Sequence, residues 1–322
     1  MARLRARSRR GPAQSHNPMP EAAISEALAR RKRRDGWFAL AGLLIMLAAV
    51  LTLVLLLAQL LVDGLPRLSL EFFVEFPSRF PQRAGIYSAW IGTLLVMLVT
   101  AFVAVPLGVA AGLYLEEYAR RNWLTDLIEI NVSNLAGVPS IIYGLLALGL
   151  FVNRFSLGQS IAAAGLTLAL LIIPVVIVAT REAIRAVPRN MREAAYAMGT
   201  TQWQMVAHHV LPYSTGSILT GIIIGLSRAI GETAPVITIG ALTFIAFLPE
   251  APIGGEFPYI NFNWLDAPFT LLPIQIFNWL SRPQTEFHAN AAAAALVLIA
   301  LTLCMNATAI YLRYRYRRRV QW

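Results

Sequence analysis

The sequence predicts an all-α, polytopic membrane protein with six transmembrane helices. Three observations carry this reading. Of 322 residues, 57% are hydrophobic and only 14% charged, well away from the composition of soluble domains. Five apolar runs reach the roughly 20 residues that a helix needs to cross the hydrocarbon core, and a sixth comes close. The 27 Lys and Arg residues concentrate in the tails and in alternate loops, the pattern that sets orientation in a bilayer.

Residues 1–36 hold ten basic side chains with scattered Pro and Ala. They read as a disordered, Arg-rich cytoplasmic tail with a topogenic role, compatible with anionic membrane lipid and not pointing to nucleic acid. The first span is the run at 37–62, too long and too far from the start for a cleavable signal. The second lies at 89–115, the third at 133–152 and the fourth at 160–180. The fifth begins near Ser214 and ends about Gly231, and the sixth occupies 289–312. After Pro235 the run 236–248 has only 13 residues, a length that fits a re-entrant or interfacial piece and not a span.

Residues 249–288 form the largest external, periplasmic segment and combine six prolines with aromatics such as Trp264, Phe269, Phe277 and Trp279. The stretch 264–280 is apolar but interrupted by Asp266, Pro268 and Pro273. It reads as lying at the membrane interface, or as a docking surface for an external partner. A basic cytoplasmic tail, 313–322, follows the last span, so the transmembrane domain is 37–312.

Six spans place both termini and the loops 116–130 and 181–212 on one side, with 21 Lys and Arg. The other side has five: Arg67, Arg79, Arg83, Arg154 and Arg282. The Arg-rich side is therefore the cytoplasmic one. A seventh span at 236–248 would export Arg313, Arg315, Arg317, Arg318 and Arg319.

Several chemistries are excluded or left without support. The sole lysine, Lys32, lies in the tail, which rules out a Walker A phosphate loop, so any use of ATP must belong to another chain. Cys304, in an apolar run and without a second cysteine, reads as a small core residue. His208 and His209 are adjacent, which turns them apart on a helix and makes a poor metal pair. No zinc spacing, catalytic triad or paired-carboxylate site is visible, so no catalytic residue, metal ligand or cofactor is expected.

The loop 181–212 is strongly punctuated. Pro188 suits the first turn of a helix over 188–198, and Gly199 can take the left-handed conformation that closes it. Thr201 forms a capping box with Gln204 that opens a second short helix, expected to end before Pro212. Ala194, Ala195 and Ala197 keep the first helix slim enough for a partner groove to approach its backbone.

The order E-A-A-x-x-x-G, nine further residues, an aliphatic position and x-L-P resembles the loop signature of the permease subunits of ATP-binding-cassette (ABC) importers, which have the MetI-like fold. Glu193, Ala194, Ala195, Gly199, Leu211 and Pro212 match it in register. His209 takes the aliphatic position, a departure that leaves open how that turn packs. The resemblance implies that these six residues are the ATPase-coupling set, seated in a groove of a cytoplasmic ATPase subunit.

Three further stretches are similar to phosphate importer permeases: Gly231-Glu232-Thr233-Ala234-Pro235 with the preceding Leu226–Ile230 stretch, Gly137-Val138-Pro139-Ser140 through Gly144, and Ala84-Gly85 through Thr93. Together they cover about 84–312 and look like the A-type (PstA-type) subunit of the phosphate-specific transport (Pst) system. This resemblance implies a non-catalytic permease that moves inorganic phosphate across the bacterial inner membrane. Its implied partners are a second, PstC-type permease, a PstB-type ATPase homodimer and a periplasmic PstS-type phosphate-binding protein.

Physical chemistry adds a candidate translocation pathway. Arg228 and Glu232 are ionisable groups near the outer half of a span, where charge is costly and usually faces protein or a watery cavity. Standing i, i+4 apart they share a helix face, and a guanidinium fork suits phosphate oxygens. Either they meet the anion or they brace the bundle as an ion pair. Gly221 and Gly225 form a small-xxx-small face for close packing against the partner permease. Two alternatives stay open: an ABC importer for another oxyanion or small solute, and a secondary transporter driven by ion gradients, for which internal inverted repeats are expected and none is visible.

Overall fold

The computed structural model describes residues 21–252, 259 and 261–319. All regular structure among them is helical. The chain divides into two units, Met1–Ala58 and Gln59–Trp322. Among the described residues the first unit is a single helical stretch, the greater part of α1 (Glu21–Gly64). That helix starts well before the expected first span, so residues 21–36 of the expected disordered tail are helical. Glu21-Ala22-Ala23 and the following Ala and Leu are good helix formers, and propagation back from a long apolar helix adds one hydrogen bond per residue fixed. The rest of the expected tail, 1–20, lies outside the described residues.

In the second unit, α2 (Leu70–Val74) is capped by Ser69, whose hydroxyl accepts from the Phe72 N–H. Next comes α3 (Tyr87–Leu113), continued by a π-helical turn at Tyr114–Tyr118. Asn122 caps α4 (Trp123–Leu135), and α5 (Ser140–Ala147) runs on through a π-helical stretch to Arg154. Ser160 caps α6 (Ile161–Arg185), which is followed by α7 (Arg189–Ala197) and α8 (Gln202–Met205). A π turn at Val206–Val210 joins α8 to α9 (Leu211–Gly231). Then come α10 (Ala234–Thr238), α11 (Leu272–Leu280) and α12 (Glu286–Arg319).

Among the described residues, five helices are long and apolar enough to cross a membrane, and a sixth span is available as the bent pair of α4 with the α5 stretch, which meet at 106°. The expected third span at 133–152 is thus not one straight helix. Its break falls at Gly137-Val138-Pro139, where Pro139 lacks an N–H and disfavours helical backbone in the residue before it. The Tyr143 hydroxyl donates across the break to the Leu135 carbonyl at 2.8 Å, and Gly144 lets α5 lie against α10. A Cβ at 144 would meet the Thr238 side chain and the Pro235 backbone at 2.6 Å.

The most buried span is α6, and small residues let its neighbours close on it. Gly108 and Gly112 of α3 face Val176 and Thr180, and Gly165 faces Val99. Gly221 of α9 packs on Ala179, with Gly225 against Val176 and Ile172. The small-xxx-small face expected to meet a partner permease is therefore consumed inside this chain, because α6 offers Ala179 where a larger residue would hold α9 away.

The segment around α11 is more deeply packed than its composition suggests. The run 236–248 is no span, as expected, while 264–280 is packed largely into the protein. Trp264, Phe269, Leu271, Leu272, Ile274 and Trp279 are buried, packed on α3 and α12 and in the core around α6. The segment is fastened by main-chain bonds: Leu272 N–H to the Thr93 hydroxyl at 2.9 Å, Ile161 N–H to Ala267 O at 3.1 Å, and Leu242 N–H to Phe269 O at 3.1 Å. Its aromatic side chains bury large apolar areas, and Pro273 falls in the first turn of α11, where its missing N–H is no loss. Cys304 is exposed on α12 and is no core residue. Finally, α12 continues to Arg319, into the expected basic tail from 313, since no Gly or Pro interrupts it.

Candidate coupling element and anion path

The loop expected to dock a partner is a compact helical hairpin. Pro188 precedes α7, and Gly199 closes it at φ +81°. The Gly199 N–H donates to Tyr196 O, and both the N–H and the hydroxyl of Thr200 donate to Ala195 O. These bonds satisfy carbonyls that a helix end otherwise leaves open. Both halves of the capping box form: Gln204 N–H to Thr201 Oγ1 at 3.3 Å, and Thr201 N–H to Gln204 Oε1 at 2.9 Å.

The second helix does not stop before Pro212. It passes through the π turn into α9 as one element, Gln202–Gly231. The wider turn, with Leu211 N–H donating to Val206 O, accommodates Pro212 just where its missing N–H and its ring would break a tighter helix. His209 is half-buried on this turn. The departure from an aliphatic residue therefore falls where the helix is already irregular.

The predicted coupling residues divide by role in the fold. Glu193 and Ala194 are exposed, with Tyr196, Met198 and Trp203 beside them. Ala195 is buried in a small core with Ile184, Val187, Met205, Val206 and Val210, against which Leu211 packs. Gly199 supplies the turn, while Leu211 and Pro212 are the base from which α9 rises. One face of the hairpin is thus presented outward while the other is fixed to the bundle.

Sequence reasoning missed the ionic cluster beneath the hairpin. Glu116 and Glu117, on the π turn that ends α3, are largely buried. Glu116 accepts from Arg185 Nε and Nη2 at 3.1 and 3.0 Å and faces Arg181 Nε at 3.5 Å. Arg181, itself buried, also pairs with Glu129 of α4. Glu117 accepts from Arg192 of α7 at 2.7 Å. A legible signal existed: two adjacent acids at the end of an apolar run, on the side where 181–192 holds four arginines.

Arg228 and Glu232 do pair, Nε to Oε1 at 3.4 Å, with side chains 42% and 20% exposed. The Arg228 Nη1 and Nη2 have no protein partner among the described residues. Arg228 sits in the last turn of α9, about 24 Å along the helix from Pro212 at 1.5 Å per residue. The coupling base and the candidate anion path thus mark opposite ends of one helix. Just beyond Glu232, α10 packs on α5, so the Gly231–Pro235 and Gly137–Gly144 stretches meet at the Gly144–Pro235 contact.

Comparison with known proteins follows this geometry. Residues 104–320 match the family model described as binding-protein-dependent transport system inner membrane component. The phosphate transport system permease protein PstA of Yersinia pestis is 32% identical over 243 residues, covering 75% of this chain and 77% of that protein. PstA of Pasteurella multocida (strain Pm70) is 33% identical, covering 66% and 76%. PstA of Mycobacterium leprae (strain TN) is 36% identical, covering 62% and 61%. Among solved structures, a chain of the MetNI methionine ABC transporter in an inward-facing conformation superposes with a TM-score of 0.53. It is 17% identical over 70% of this chain and 93% of that one, a likeness of fold alone. With the all-helical, multi-span fold, these matches make the chain a member of the binding-protein-dependent transport system inner membrane component family, a multi-pass permease of the inner membrane.

Proposed function

We propose that this permease moves inorganic phosphate inward through an ATP-driven importer in which other subunits hydrolyse the ATP. The observation that carries the reading is the α7–Gly199–α8 hairpin, outward-facing at Glu193 and Ala194 and rooted through Leu211 and Pro212 in a helix whose last turn carries Arg228. Its exposed face suits a groove on an ATPase homodimer at the cytoplasmic side, the side to which the arginine count assigns it. ATP-driven closure of the dimer displaces the hairpin, and α9 carries the displacement towards Arg228. A second permease completes the path, and a periplasmic binding protein delivers the anion.

Phosphate as the substrate is supported by the names of the PstA relatives and by the chemistry of Arg228. Its Nε is held by Glu232 while two Nη groups remain for a tetrahedral oxyanion. The nearby carboxylate keeps that contact weak, as a transit site requires, since a strongly held anion would not leave. The test is uptake of labelled phosphate by the reconstituted four-component complex, with sulfate and molybdate as competitors. ATP-dependent phosphate uptake with at least tenfold preference over sulfate is expected (about 1.4 kcal/mol). Equal or better sulfate uptake overturns the substrate, and uptake driven by an ion gradient without ATP overturns the mechanism. Arg228→Gln should lower uptake by about tenfold while the complex still assembles. Parallel loss of assembly and uptake would make Arg228 a brace.

A further inference from the structure

We infer that Glu117 is a positioning residue for transport. Through Arg192 and Gln202 it fixes both helices of the exposed hairpin to the end of α3, so hairpin motion enters the bundle through α3 as well as through α9. This rests on the coupling reading above and names the residues that would carry the motion.

Three hydrogen bonds place Glu117 at this junction. Its carboxylate accepts from Arg192 Nη2 at 2.7 Å and Nε at 3.1 Å, from the middle of α7. Its carbonyl accepts from Gln202 Nε2 at 2.6 Å, from the first residue of α8. Arg192 in turn donates to Ile184 O at 2.9 Å, in the last turn of α6, and to Val187 O at 2.7 Å, just beyond it. The Glu117 side chain is 8% exposed and that of Arg192 19%. A pair so enclosed holds its geometry, unlike the Arg185–Glu182 pair beside it, where Glu182 is 65% exposed and the contact is 3.5 Å.

The neighbouring Glu116 faces the other way in the network, to Arg181 and Arg185 of α6 and, through Arg181, to Glu129 of α4. Two adjacent acids on one π turn therefore divide their bonds: Glu117 to the hairpin, Glu116 to the bundle. Irregular turns of this kind recur at functional positions in helices. Because α3 packs along α6 through Gly108, Gly112 and Gly165, movement of its end cannot be absorbed locally without separating that contact.

The experiment uses the full complex in proteoliposomes with phosphate as the probe, and measures phosphate moved per ATP hydrolysed. Glu117→Gln and Arg192→Gln should each lower that ratio roughly tenfold, inside the 5–150-fold range usual for coupling between sites. Assembly and ATP hydrolysis should persist, and the double variant should be no worse than either single one. Glu182→Gln serves as the control and should leave the ratio unchanged. Should Glu117→Gln fail to assemble, Gln202→Ala cuts only the α8 tether and should lower the ratio severalfold. An unchanged ratio in these variants overturns the inference, as does a double variant whose loss is the product of the two single losses. Amide hydrogen exchange over 189–205 supplies a readout independent of substrate: it should quicken in Glu117→Gln and not in Glu182→Gln. If the unsubstituted complex moved no phosphate the functional reading would fall, while the exchange result would still decide the inference.

Discussion

At the scale of single residues, Gly199 is the position where backbone geometry alone dictates the amino acid. Its φ of +81° comes with open space around the missing side chain, so a substitution is penalised by the backbone and not by a clash. Left-handed geometry costs an L-residue about 1–2 kcal/mol, and more when it is β-branched. Gly199→Val should therefore loosen the hairpin and reduce ATPase co-purification severalfold, while the spans remain inserted. Gly199→Asn, which tolerates left-handed backbone, should come close to the parent. Normal phosphate uptake and ATPase retention in Gly199→Val would remove the hairpin from the docking role. This residue, and the Thr201–Gln204 box two places on, were legible because both act within a few residues of sequence. Arg181, Glu116 and Glu117 were not read as a group, since their partners lie on other helices and only packing brings them together.

At the scale of elements, the spans are set by apolar length, and their irregularities by proline and glycine. The break at Gly137-Val138-Pro139 turned one expected span into two helices at 106°. The sequence held the breaker, but composition alone could not weigh its strength against twenty apolar residues. At Pro212 the outcome was the reverse. A proline that reads as a stop is bridged by the π turn Val206–Val210, and the helix goes through. The difference lies in support: α8 and α9 share a buried core through Met205, Val206 and Val210, whereas α4 has no buried residue among those described. The α5–α10 contact offers a direct test. Gly144→Val would push a side chain into Thr238 and the Pro235 backbone. Overpacking of this kind costs about 1–3 kcal/mol, occasionally more, so a lower thermal midpoint in detergent is expected. Gly149→Val, where nothing lies within 4 Å of the added carbon, is the comparison. Equal midpoints would mean that the two elements separate without cost.

At the scale of the whole molecule, the arginine distribution predicts the orientation, with the hairpin on the cytoplasmic side. In a Cys304→Ser background, cysteine placed at the exposed Trp203 should react with an impermeant maleimide only from the cytoplasmic face. Cysteine at Phe80, exposed before α3, should react only from the outside. Labelling of both from one side would refute the six-span topology, and the reverse pattern would invert it. The sequence by itself determined the membrane class and the outline of the hairpin, because composition, hydropathy and helix caps are local or additive properties. Only the tertiary structure decided that Gly221 and Gly225 pack inward on α6, that 264–280 is drawn into the core, and that Glu117 holds the hairpin. Each of those depends on which distant surface a side chain meets, and hydrophobic burial and ion pairing reward any adequate partner until packing selects one.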